Sequence, residues 1–314
     1  MANWQPSTSV SNLRLRAELL ARVREFFSQR NVLEVETPLL WPTTATDPHL
    51  DSIKVDQVFT RDSQTYYLQT SPEFAMKKLL CYGSGSIFQI CKAFRRDERS
   101  KRHNPEFTML EWYRVGFDEW QLMDEVEELV TILIGCAAPQ RISYRQLFQQ
   151  HLSIDPHCCS DAALLEVARQ HVNFDDSGYL RDELLHLLLG QVIEPALKHD
   201  YFVYDFPASM AALATVETDE TGTEVARRFE LFVGGMEIAN GYRELIDPVE
   251  QKRRFEQDIQ QRRDELPVDN DLIAALDQGM PACAGVAIGI DRLLMLVAKA
   301  GSIDEVIGFG LNRR

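Results

Sequence analysis

The sequence predicts an α+β fold, a mainly antiparallel sheet flanked by helices. Strand signals come in groups and do not alternate regularly with crossover helices. A Gly234-Gly235 pair joins two strand-like runs, as a tight antiparallel hairpin requires. The chain has 314 residues, 45% of them hydrophobic, enough for one large domain or two.

Taken in order, residues 12–30 place Leu15, Leu19, Val23, Phe26 and Phe27 on one helical face, with Asn12 as its cap. NVLEVETPLL at 31–40 follows, and Pro38 limits its last part to an edge or a kink. Residues 43–63 read as loop and short strand. A helix is predicted at 71–81, starting near Ser71 and Pro72. Residues 86–116 read as two strands around a highly charged loop. An amphipathic helix opened by Asp118 covers 118–134. Short helical stretches at 145–200, broken at DPHCCSD and FDDSGY, read as an insertion without a function of its own. Strand signals return at 201–246. Helices are predicted at about 249–264, 270–279 and 291–300, the last after a Gly/Ala-rich segment.

Composition narrows the function. No apolar run approaches the ~18 residues of a membrane span, and ACAGVAIGI at 282–290 is the longest candidate. The N-terminus has neither a basic start nor an apolar stretch, so no secretory signal is expected. With 33 basic and 48 acidic residues the net charge is −15, which weighs against a dedicated nucleic-acid binder. Six scattered cysteines lack metal-ligand spacing, and reduced thiols in a cytoplasmic protein are expected. Walker A, G-x-G-x-x-G, H-E-x-x-H and G-x-S-x-G patterns are absent.

Three segments carry chemistry. In 94–116, FRRDERSKRHNPEFTMLEWYRVG, period two places Phe107, Met109, Glu111 and Tyr113 on one strand face. A carboxylate between aromatics needs a partner, and this face suits a flat ring and a cation. The charge of Arg95–Arg102 alone would suit a solvated hairpin tip, or a grip on an acidic partner. In FELFVGGMEIANGYREL at 229–245, the hairpin register sets Phe232 opposite Glu237, making Glu230 and Glu237 diagonal neighbours. Oxygen ligands of that kind suit Mg²⁺ beside a phosphate, although an exposed outer face would also account for them. In GVAIGIDRLLML at 285–296, glycines precede a helix with Arg292 in its first turn, an anion-binding arrangement. Small residues packing a core would leave the same trace.

These segments, in this order, resemble the signature motifs of class II aminoacyl-tRNA synthetases. NVLEVETPLL resembles motif 1, with Pro38 at a dimer interface; Arg95 through Tyr113 resembles motif 2, and GIDRL motif 3. TSPE at 70–73, RHNPEFTMLEWY at 102–113 and EIANGYREL at 237–245 resemble the lysyl branch. The resemblance covers nearly the whole chain. It implies one catalytic domain over 1–314 with the insertion at about 145–200, an antiparallel sheet of about six or seven strands, and a homodimer. Only about 12 residues precede the first helix, so no anticodon-binding OB domain is expected. The chain therefore resembles the stand-alone lysyl-tRNA synthetase paralogues that modify elongation factor P. That family activates (R)-β-lysine, or less well lysine, as an adenylate and transfers it to a lysine of the factor.

The resemblance assigns roles. Arg95 would contact the α-phosphate and the substrate carboxylate, with Arg292 as its catalytic companion. Arg96, Asp97, Asn104, Phe107, Ile238 and Gly289 would surround ATP; Phe107 would stack on adenine, with Arg292 on the other side. His103 and Arg292 would reach the terminal phosphates, and Glu230 and Glu237 would hold Mg²⁺. Ser71, Pro72 and Glu73 would border the amino acid, with Glu73 and Glu111 receiving its amino group. Tyr113 and Glu244 would bind the side-chain ammonium, and Asn240, Tyr242 and Ala287 would line the pocket. A carboxylate and an ammonium ~4 Å apart attract by about 4 kcal/mol at an effective dielectric of 20, so a neutral side chain should be rejected.

Glu237 and Glu244 are seven residues apart, so a regular strand would point them to opposite faces; a bulge near Asn240-Gly241 is predicted. Phe94-Arg95-Arg96-Asp97 departs from the usual Phe-Arg-Asn-Glu or Phe-Arg-Asp-Glu, giving Asp97 a shorter arm toward adenine. Ala287 stands where lysyl-tRNA synthetases commonly have glycine, a change suited to favouring a β-amino acid. Two other readings stay open: a paralogue charging tRNA or a small acceptor, and a non-catalytic regulatory subunit.

Overall fold

The computed structural model describes residues 4–56, 58–59, 64–174, 178–262 and 266–311. The strands are β1 (Leu33–Glu34), β2 (Leu40–Trp41), β3 (Lys54–Val55), β4 (Tyr66–Leu68), β5 (Ile87–Phe94) and β6 (Glu106–Val115). They continue with β7 (Gln140–Ser143), β8 (Tyr201–Pro207), β9 (Val216–Thr218), β10 (Glu224–Val233), β11 (Met236–Arg243) and β12 (Cys283–Gly289). The helices are α1 (Val10–Gln29), α2 (Glu73–Cys81), α3 (Glu119–Ile134), α4 (Tyr144–Leu152) and α5 (Asp161–His171). After them come α6 (Arg181–Leu188), α7 (Pro248–Gln261), α8 (Asn270–Gln278) and α9 (Ile290–Ala298). The described residues fall into two compact units. The first lies within Met1–Phe117, Ile132–Gly135 and Leu245–Arg314, and the second within Asp118–Thr131 and Cys136–Glu244.

In the first unit the main strands run in the order β1-β5-β6-β12. β5 with β6 and β6 with β12 are antiparallel, whereas β1 is parallel to β5. A small antiparallel sheet, β2-β4-β3, lies in the same unit. In the second unit the order is β11-β10-β8-β7, with β9 also on β10. Here only β7 and β8 are parallel among the described pairs. The fold is α+β and mainly antiparallel as predicted, with parallel pairs at β1 and β7. Parallel neighbours need a long crossover, and α4, α5 and α6 supply one between β7 and β8. The helical insertion is thus a crossover connection.

Helix α1 begins earlier than its periodicity suggested. Ser9, not Asn12, is its cap: the Ser9 side chain accepts from the Asn12 N–H, so Asn12 already sits in the first turn. Leu19, Val23, Phe26 and Phe27 are buried on its inner face, with Leu15 half-buried. The Phe27 ring stacks on Phe88 of β5 at 4.4 Å and meets Trp112 of β6 edge-on at 5.2 Å. Asp118 opens α3 as expected, accepting from the Gln121 N–H at 2.8 Å. The Gly/Ala-rich closing segment is the strand β12. Its residues are largely buried, so the polar alternation that reveals a half-exposed strand is absent.

The second unit has its own apolar core. Tyr144, Phe148, Leu164, Leu185 and Leu188 from the crossover helices pack with Val203, Phe206 and Phe232 from β8 and β10. Gly234 and Gly235 turn the β10–β11 hairpin with φ of 58° and 67°. Both values lie in the left-handed region that the tightest hairpin turn needs.

Candidate functional site

The first unit carries the candidate nucleotide and amino-acid residues of motifs 2 and 3. Cross-strand register places Phe107, Met109, Glu111 and Tyr113 of β6 beside Ala93, Cys91, Gln89 and Ile87 of β5. On the other side, Gly285, Ala287 and Gly289 of β12 pair with Tyr113, Glu111 and Met109. Cross-strand partners share a face, so a row of small residues flanks the Glu111 row. Such a floor leaves room above the sheet for a ligand.

Glu111 and Tyr113 are buried together, and the Tyr113 hydroxyl donates to Glu111 Oε1 at 2.7 Å. The carboxylate predicted to need a partner has one. Burial, helped by the nearby Glu111 charge, pushes the Cys91 thiol up to about 12. Glu73 opens α2 just after Pro72, with Ser71 Oγ accepting from the Glu73 N–H at 3.4 Å. Its carboxylate is 2.8 Å from Lys77 Nζ. Ser71 also lines an open depression of about 380 Å³ with Trp41, Gln69 and Phe74.

The charged loop between β5 and β6 is an ordered hairpin end. Ser100 and His103 form an isolated bridge across its tip. The Lys101 carbonyl accepts from Ile303, and Asn104 Oδ1 accepts from the Leu311 N–H at 3.1 Å. Buried Asn104 also donates to the Glu106 carbonyl at 2.6 Å. The Arg95 guanidinium lies 5.1 Å from the Phe107 ring centroid and 3.3 Å from Glu98. Arg96 pairs with Asp51 at 2.7 Å, and Arg262 reaches the same carboxylate at 2.9 Å. The Arg96 hydrogen bond leads in holding the Asp51 carboxyl below the usual range. Asp97 is 88% exposed at φ +62°, so its carboxylate stands in solvent.

Motif 3 meets motif 2 directly. Arg292 Nη2 lies 2.7 Å from His103 Nε2. Since the guanidinium can only donate, His103 Nε2 accepts, and Nδ1–H of a neutral ring faces Ser100 Oγ at 2.7 Å. Asp291, one residue before, is buried and anchors the helix: it pairs with Arg16 and accepts from the Thr108 N–H at 2.6 Å. Gly289 precedes α9 as its cap.

The second unit carries the other acidic positions. β10 and β11 pair Phe232 with Glu237, as the hairpin predicts. The next pairs are Leu231 with Ala239 and Glu230 with Asn240, so Ile238 is an extra residue. The predicted bulge therefore lies at Ile238, not at Asn240-Gly241. One inserted residue reverses the side-chain alternation. Glu230, Glu237, Asn240, Tyr242 and Glu244 consequently fall on one face by register. Asn240-Gly241 stays regular, and the Phe229 ring covers Gly241 from the opposite strand.

Arg228, two residues before Glu230, pairs with it at 2.5 Å and lies 5.8 Å from the Tyr242 ring centroid. Burial pushes the Glu230 carboxyl up, Arg228 opposes this, and the Glu237 charge adds to it; the net direction is upward. Glu244 is buried, forms an isolated bridge with Ala214, and its carbonyl accepts from Thr215 Oγ1 at 3.0 Å. The Asn240 side-chain oxygen is buried without a hydrogen-bond partner among the described residues.

Lys77, Arg228, Asp51 and Asp291 also make buried or partly buried ion pairs beyond the sequence-predicted residues. Arg228 was within reach, since period two from Glu230 puts it on the same face. Lys77 also carried a signal, four residues after Glu73 on a helix. Asp51 carried none, because its partners Arg96 and Arg262 are distant in sequence.

A family model described as tRNA synthetases class II (D, K and N) matches residues 3–313. The chain belongs to the class II tRNA synthetase family. Its similarity to individual relatives runs equally far. It is 45% identical over 325 residues to a protein of Sodalis glossinidius, covering 99% of this chain and 98% of that one. It is 46% identical over 322 residues to one of Yersinia enterocolitica, with the same two coverages. A Mannheimia succiniciproducens protein is 44% identical over 317 residues, with 98% of each chain covered. All three are named elongation factor P–(R)-β-lysine ligase. No helix among the described residues is long and apolar enough to cross a membrane.

Proposed function

We propose that this protein is an ATP-dependent, AMP-forming ligase that activates (R)-β-lysine, or less well lysine, and transfers it to a lysine side chain of elongation factor P. One observation carries the reading: near-full-length identity of 44–46% to relatives bearing that name. The buried Glu111–Tyr113 pair beside a floor of small residues supports a cationic amino acid over a neutral one.

The first step is in-line attack of the substrate carboxylate on the α-phosphorus. The nucleophile is already ionised, so no general base is needed, and pyrophosphate leaves. The chain's task is positioning and charge stabilisation. Arg95 binds the α-phosphate and the carboxylate. Arg292 and His103, already in contact, reach the terminal phosphates. Phe107 and Asn104 hold adenine, bordered by Arg96, Asp97, Ile238 and Gly289. Glu73 and Glu111 receive the amino group beside Ser71 and Pro72, and Tyr113 and Glu244 the side-chain ammonium, with Asn240, Tyr242 and Ala287 lining the pocket. In the second step the acceptor amine, having lost a proton, attacks the acyl carbon and AMP leaves.

Glu230 and Glu237 fit Mg²⁺ in donor type: two carboxylates on one sheet face, with the Glu237 charge acting on Glu230. When bound, the ion would supply charge neutralisation of phosphate oxygens. Exposed Leu33 and Leu39 in the motif 1 segment support a homodimer. Six free cysteines suit a reducing compartment, the cytoplasm.

ATP–pyrophosphate exchange tests the activation step. Exchange is expected with (R)-β-lysine and, more weakly, with lysine. Exchange driven by aspartate or asparagine would contradict the reading.

A further inference from the structure

We infer that Lys77 is a positioning residue that sets which amino-group position the enzyme accepts, an inference that rests on the ligase reading above. Lys77 lies in α2 among the buried residues Ala75, Met76 and Leu80, and is itself 1% exposed. An ammonium at such a place must be offset by a partner. Packing does not call for a charge there; a methionine of similar length would fill the space without the desolvation cost.

The geometry of Lys77 indicates a use for the charge. Lys77 Nζ lies 2.8 Å from Glu73 Oε1, one helical turn away, and the Glu73 side chain keeps 16% exposure. Glu73 is also held through its backbone, since its N–H donates to Ser71 Oγ. The first turn of α2 favours the carboxylate further. Glu73 is thus held through its backbone and by an ion pair at Oε1, while its side chain keeps partial exposure.

The pair carries no net charge. A bare carboxylate attracts any nearby ammonium, whereas a neutralised and oriented one acts as a directional acceptor. Directional acceptors discriminate by position. In lysine and (R)-β-lysine the amino groups sit one carbon apart relative to the reacting carboxylate. A Glu73 held in one orientation can serve one of these positions well and the other poorly. Releasing Glu73 should blur that choice, with little effect on ATP.

The test is pyrophosphate exchange by wild type, Lys77→Met and Lys77→Gln, with each amino acid in turn. For Lys77→Met we expect the ratio of kcat/KM for (R)-β-lysine over lysine to fall by about tenfold or more, through amino-acid KM. The KM for ATP should stay within about threefold. Lys77→Gln keeps an N–H donor for Glu73 and should retain more of the preference. A Lys77→Met enzyme that keeps the wild-type ratio, or loses both amino acids and ATP alike, would overturn the inference while leaving the ligase reading intact. A wild type that activates neither amino acid would overturn the reading, and the inference with it.

Discussion

Tyr113 and Glu111 sit two residues apart on one face of β6, and the tyrosine hydroxyl donates to the carboxylate at 2.7 Å. The pair fixes a buried negative charge beside Ala287 and Gly285 of β12. Tyr113→Phe removes that donor without changing the packing. A buried hydrogen bond to a charged group contributes about 1.5–3 kcal/mol. The amino-acid KM in pyrophosphate exchange should therefore rise by about tenfold or more, with the KM for ATP nearly unchanged.

Ala287 is the cross-strand partner of Glu111. Its methyl lies in the row that otherwise consists of Gly285 and Gly289. Ala287→Gly enlarges the space beside Glu111 by one methyl. Preference should shift toward lysine and away from (R)-β-lysine, by about tenfold from the usual worth of one methyl group. Competition between the two amino acids in the exchange assay measures it directly.

The β10–β11 hairpin depends on an absent side chain. A Cβ at Gly241 would stand 2.4 Å from Phe229 Cζ and 2.7 Å from Cε1, too close for any real contact. Gly241→Ala should destabilise the protein by about 1–3 kcal/mol, the usual cost of overpacking. Chemical denaturation gives the value. Adding Phe229→Leu should recover part of the loss in the double variant, because the clashing ring is gone.

Much of the fold could be read from the chain. The Gly234-Gly235 turn and the pairing of Phe232 with Glu237 follow from alternation and turn chemistry, and both are found. The need for a bulge between Glu237 and Glu244 was also legible, because parity alone demands it. Its place was not, since register is set by pairing with the neighbouring strand. The parallel edges at β1 and β7 were hidden for a similar reason: strand direction depends on where a connection returns. β12 escaped notice because its small, buried residues show no alternation. Of the site, the row Phe107–Glu111–Tyr113 was visible in the period, whereas Asp51, which receives both Arg96 and Arg262, left no local trace.

His157 of the second unit gives a pH dependence. Burial, with help from the Arg145 charge, holds its imidazole below the ordinary 6.5, and its ring packs edge-on against Tyr144. A group whose folded pKa is depressed contributes stability that is complete above the unfolded pKa. That contribution is lost as the pH falls through the folded one. Wild-type stability should thus begin to decline as the pH drops below 6.5. His157→Phe keeps a ring and cannot titrate, so its denaturation midpoint should show a shallower decline over the same range.

The most direct measurement is the intact mass of elongation factor P after incubation with the enzyme, ATP, Mg²⁺ and either amino acid, with a tRNA-charging control. The expected result is one lysyl-sized mass gain on the factor, faster with (R)-β-lysine than with lysine, and no charged tRNA. Charged tRNA with an unmodified factor would contradict it.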